Sequence, residues 1–77
     1  MVNTNLKPLR SLKELGELVV FDPEFQNIAI GAARDLGGRP SSWHDAIKFL
    51  EAYAEETGEE KTIQVVNYCI ASKKNRS

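Results

Sequence analysis

Apolar positions along the chain fall into four blocks, divided by Asp22-Pro23, by Gly37-Gly38-Arg39-Pro40 and by Gly58. In the first block leucines stand at positions 6, 9, 12, 15 and 18. A strict spacing of three drifts by roughly 60° per step on a helix, so five of them cannot line one stripe. Leu12, Leu15 and Val19 share a face, with Leu9 and Leu18 on its shoulders. The pattern predicts a short helix over residues 9–20 with a wide apolar side. Asp22 is a good N-cap, and Pro23 then takes the first helical position, where its missing N–H is no loss. In the second block Phe25, Ile28, Ala29, Ala32 and Leu36 fall on one arc of roughly 100°, and Ile30 lies off it. Gly37 supplies the stop, because glycine takes the left-handed C′ position without penalty.

Ser42 opens the third block, and Asp45 three residues on resembles a capping box with a shorter acid. Trp43, Ala46, Ile47, Leu50 and Ala54 form its central stripe, with Phe49 and Tyr53 widening it on one side. His44, Lys48, Glu51 and Glu55 face the other way, and Gly58 ends the helix. Residues 62–71 are rich in strand formers. A strand there would carry apolar residues on both faces: Ile63, Val65 and Cys69 on one, Val66, Tyr68 and Ile70 on the other. A helix aligns Ile63, Val66 and Ile70. It also puts Glu59 and Glu60 before its start and Lys73, Lys74 and Arg76 after its end, which suits the macrodipole. The helical reading is preferred, and residues 72–77 are expected to form a disordered tail. The expected fold is all-α: one small domain over residues 1–77, a bundle of three to four short helices, alone or as a helical dimer.

Size makes association relevant. A chain of 77 residues buries only about 60% of its unfolded surface and is marginal alone. Its single cysteine allows no internal disulfide. The opening MVNTNLKPLR has no apolar stretch of signal-peptide length. The longest apolar run, Leu18-Val19-Val20-Phe21, is far short of a membrane span. A cytoplasmic setting is expected.

Reactive groups show no catalytic spacing. Gly37-Gly38 lacks the lysine and the preceding strand of a phosphate loop. His44 is the only histidine and reads as a surface residue. Cys69 stands among Ile, Val and Tyr, where a buried inert thiol is expected. No metal site, no cofactor and no enzymatic activity are expected. The acidic series Glu51, Glu55, Glu56, Glu59 and Glu60 reads first as a solvated face and second as a surface for a basic partner.

Two patterns bear on binding. The stretch AARDLGGRPSSW has the layout of a helix-turn-helix: small Ala33, a glycine turn at Gly37, then an apolar anchor at Trp43 or Ala46. A small DNA-binding regulator is therefore the alternative reading. Yet residues 42–60 carry Lys48 against Asp45, Glu51, Glu55, Glu56, Glu59 and Glu60, a balance that phosphates repel. Nucleic acid is not the expected partner. The second pattern is surplus apolar surface, in the first helix, at Ile30, Val65 and Tyr68, and at Phe49 and Tyr53. It suggests a face for a second copy or a partner protein.

Two stretches, Asn3-Thr4-Asn5-Leu6-Lys7-Pro8-Leu9 and Ser42-Trp43-His44-Asp45-Ala46-Ile47-Lys48-Phe49-Leu50-Glu51, resemble the small quorum-sensing anti-activators of Mu-like Pseudomonas phages. Residues 21–38 and 63–70 have no counterpart there. The resemblance implies a compact, dimeric helical viral protein that silences host defences by contacting a LuxR-type activator and a type IV pilus assembly ATPase. The expectation is a phage-type accessory protein that inhibits a host protein by occlusion. Its partner-binding face is expected at Phe49 and Tyr53, flanked by Glu51, Glu55 and Glu56, against a host regulator with a basic surface. No membrane partner is expected.

Overall fold

The computed structural model describes residues 8–76, in which α1 (Leu12–Val19), α2 (Pro23–Asp35), α3 (Trp43–Thr57) and α4 (Glu59–Arg76) follow in chain order. Leu6, Lys7, Ser77 and the 3–7 portion of the resemblance lie outside the described residues. All the secondary structure among the described residues is helical, so the fold is an all-α bundle. Its radius of gyration is 11.5 Å, the value expected of one close-packed domain of this length.

Capping residues set the helix boundaries. Ser11 is extended, at φ −153° and ψ 161°, and its side chain accepts from Glu14 N at 3.3 Å. The Glu14 carboxylate reaches back to Arg10 N at 2.7 Å, a capping box displaced by one residue. The first helix therefore starts at Leu12, not near Leu9. Leu9 is still buried, because it packs from the segment before the cap. Asp22 caps α2 through Glu24 N at 3.0 Å, with Pro23 in the first turn. The end of α2 is a Schellman motif. Gly38 N donates to Ala33 O at 2.8 Å and Gly37 N to Arg34 O at 3.0 Å, with Gly37 at φ 96°.

Ser42 caps α3 through Asp45 N at 3.4 Å. Asp45 does not complete the box; its carboxylate accepts from the Ser41 hydroxyl instead. That bond, first of all, holds the Asp45 carboxyl below its ordinary 3.8. Gly58, at φ 106°, ends α3, and α4 begins at the next residue. Residues 62–71 are helical, and the helix runs on to Arg76 through most of the expected tail.

The core is built from Leu15, Val19, Phe25, Ile28, Leu50, Val66 and Ile70 around four alanines. Ala29, Ala32, Ala33 and Ala46 are fully buried. Side chains this small let helix backbones approach closely, and α2 packs chiefly on α3, then on α4. Ile30 and Val65, expected to stand off the core face, pack partly buried against it.

Candidate functional site

The face proposed from the pattern divides between surface and core. Glu51, Glu55 and Glu56 are exposed on α3. Phe49 is half-buried and packs on the core. A Cβ placed on Gly38 would meet Cδ1 and Cε1 of Phe49 at 3.0 Å, so the ring lies directly over the α2–α3 turn. Tyr53 is half-buried one turn on, its ring centroid 6.1 Å from that of Phe49 and tilted by 33°. The aromatic pair thus serves the fold on one side and reaches solvent on the other. Trp43, expected in the core, is also half-buried and stacks on exposed His44 at 3.8 Å.

Among the described residues, the most exposed large apolar side chains are elsewhere. Phe21 is 84% exposed, Tyr68 68% and Val20 56%. Tyr68 was legible as surplus under the helical reading; Phe21 was not singled out. The signal was available. Phe21 directly precedes the N-cap Asp22, where an apolar residue often packs on N4 as a hydrophobic staple. Here N4 is Gln26, whose Nε2 is committed to Val19 O at 2.8 Å. With no apolar staple partner, the Phe21 ring stands in solvent on a short, hydrogen-bonded turn, where Phe21 N and Asp22 N both donate to Leu18 O.

The helix-turn-helix layout has the expected turn at Gly37. The outward face of α3, however, presents Lys48 and His44 beside Asp45, Glu51, Glu55 and Glu56. Such a face has no excess of cations to neutralise phosphates.

Cys69 is half-buried, not enclosed. Its Sγ donates to Asp35 Oδ2 at 3.5 Å. Burial, the Asp35 charge and this hydrogen bond raise the thiol from 9.0 to about 11. A thiol held protonated in this way is a poor nucleophile. Among the described residues, no three His, Cys, Asp or Glu side chains converge to hold a metal ion.

Two polar residues link distant parts of the chain: Asn67, which the pattern did not mark, and Glu59, which it placed in the acidic series. Asn67 pairs with Leu9 by two bonds: Leu9 N donates to Oδ1 at 2.7 Å and Nδ2 donates to Leu9 O at 3.0 Å. Glu59 accepts from Leu12 N at 2.8 Å and caps α1 from α4. One member of the acidic series therefore serves the fold. No protein-family model, curated protein or solved structure matches the chain.

Proposed function

We propose that this chain is a small non-catalytic binding protein that acts by covering the surface of another protein. Its specific form is the one the resemblance implies, a phage-encoded inhibitor working in the host cytoplasm. The observation that supports the reading is Phe21, an aromatic ring 84% exposed on a turn between two capped helices. The turn beneath the ring is already ordered, so docking immobilises the side chain but not the backbone, and aromatic anchors of this kind dominate binding energies. Glu51, Glu55 and Glu56 are exposed as well, and their charge favours encounter with a basic surface. Phe49 supports the fold in this reading, so Phe21 replaces it as the principal anchor.

The test is capture from nuclease-treated bacterial lysate by the tagged chain, read by mass spectrometry, in wild-type and Phe21→Ser forms. One protein recovered in near-equal amount by the wild type and lost with Phe21→Ser is the expected result. Equal recovery by both forms, or recovery of the bait alone, overturns the reading. Capture seen from a parallel untreated lysate and absent from the nuclease-treated one would favour the DNA-binding alternative.

A further inference from the structure

The α1–α2 corner carries three exposed apolar residues close together in sequence: Val20, 56% exposed, Phe21, 84% exposed, and Pro23. Phe21 N and Asp22 N donate to Leu18 O at 3.1 and 2.9 Å, which fixes the backbone beneath them. The three form a convex knob, and burying so prominent a ring takes a concave surface. Charge along this part of the chain has one sign. From Glu14 to Ala33 there are four carboxylates and no Lys, Arg or His. Glu14 accepts from Arg10 N, and the half-buried Asp22 accepts from Glu24 N. Glu17 and Glu24 are exposed. Glu17 stands one helical turn before Val20 on α1, and Glu24 lies in the first turn of α2. Along the chain the knob therefore has an exposed carboxylate on either side.

Resting on the docking role of Phe21, we infer that the occupant is a cleft on a different protein, with an apolar floor that takes Phe21 and Val20 and a rim of Lys or Arg opposite Glu17 and Glu24. Complementary charge selects this occupant over two others. A second copy meeting at the same corner sets carboxylate against carboxylate, and like charges across an interface repel. The anionic surface of a membrane repels the corner as well, since apolar groups that anchor there are accompanied by Lys and Arg. In a basic cleft the ring supplies most of the affinity, and the rim pairs supply encounter rate and selectivity. The recognition element is then the corner between two helices, bordered by the acids of α1 and α2.

Photo-crosslinking from the knob itself tests it. The full-length chain carrying Phe21→benzoylphenylalanine is irradiated in bacterial lysate that retains its membranes, and the linked species are identified by mass spectrometry. A link to an apolar residue of another protein is expected. Its yield should fall at least about tenfold with Glu17→Lys/Glu24→Lys at about 50 mM salt, and the difference should shrink in about 0.5 M salt, where charges are screened. Asp35→Lys/Asp45→Lys makes the same change of charge elsewhere. Asp35 lies at the far end of α2, about 20 Å from the corner at the helical rise per residue, which exceeds the screening length. This second pair should leave most of the yield intact. A link to another protein that survives reversal at Glu17 and Glu24, or that both pairs weaken equally, overturns the cationic rim and leaves the docking role of Phe21 standing. Links between two copies of the chain, or to lipid, overturn the choice of occupant. The absence of any link overturns the inference and the Phe21 reading together. Should Glu17→Lys/Glu24→Lys lose its helical spectrum, Glu17→Gln/Glu24→Gln decides, with an expected fall of about threefold and the same salt dependence; an unchanged yield in that chain overturns the rim.

Discussion

Single residues carry two effects that the apolar pattern could not signal. Asn67 lies beside the core stripe of α4 and would pass for a surface amide, yet it satisfies both backbone groups of Leu9. Asn67→Ala leaves that N–H and C=O without their partners, and is expected to destabilise the chain by about 1–3 kcal/mol in urea denaturation. For Cys69 the apolar neighbours in sequence imply enclosure, and the fold leaves the thiol half-buried beside Asp35. The thiol was expected to be inert through enclosure. Asp35 also contributes, and its position opposite Cys69 is a tertiary fact that no local window contains. With the thiol raised to about 11, the thiolate at pH 8 is roughly one part in a thousand. Alkylation by iodoacetamide should therefore be slow. Asp35→Asn removes the neighbouring charge, lowers the thiol pKa and speeds the reaction. The same shift acts on stability. An acid whose folded pKa is raised contributes stability that is full below its unfolded value, here 9.0, and is lost as pH rises towards about 11. The contribution is small, because the half-exposed thiol is screened by solvent. A pH series of urea midpoints in wild-type and Asp35→Asn chains should show the decline above pH 9 shrink in the variant.

Helices were legible wherever a cap and a stripe agreed. Ser42, Asp22-Pro23, Gly37 and Gly58 all act as the pattern indicated. In α4 the β-branched residues gave an ambiguous propensity. The spacing of Ile63, Val66 and Ile70 resolved it, because one buried stripe satisfies a bundle and two apolar strand faces do not. The start of α1 was misplaced because Leu9 continues the apolar rhythm from outside the helix. At 8 residues, α1 is too short to hold itself in water. Its ends depend on groups from other elements, Glu59 on Leu12 N and Gln26 on Val19 O. Glu59→Ala should cost about 1 kcal/mol, the ordinary worth of a helix cap. Hydrogen exchange should quicken at Leu12 and its neighbours before it quickens in α2. The α2–α3 turn is equally specific. A Cβ at Gly38 would stand 3.0 Å from the Phe49 ring and 3.1 Å from Ala33 O, so Gly38→Ala forces the ring or the turn to move. A loss of about 1–3 kcal/mol is expected, as for other overpacked sites. The same contact explains why Phe49 is a poorer binding candidate than its type suggests. Its neighbour is a glycine eleven positions back, with no side chain to announce the packing.

For the molecule as a whole, two phenylalanines four residues apart separate folding from binding. Phe25 is 1% exposed and Phe21 is 84% exposed. A domain of 77 residues has a net stability of about 4–12 kcal/mol at the usual worth per residue. Phe25→Ala removes about 3–5 kcal/mol by leaving a cavity, enough to unfold the chain at the lower end of that range. Phe21→Ser removes a ring that touches little, and its urea midpoint should correspond to within about 0.5 kcal/mol of the wild type. A loss above about 1 kcal/mol would mean that the ring is packed in solution, by its own chain or by another copy, and Phe21 would cease to be a free anchor. An unchanged midpoint leaves a large apolar group exposed on an ordered turn with no part in stability. That is the condition the proposed docking role of Phe21 requires: a ring free of the fold can be removed to test capture without disturbing the helices around it.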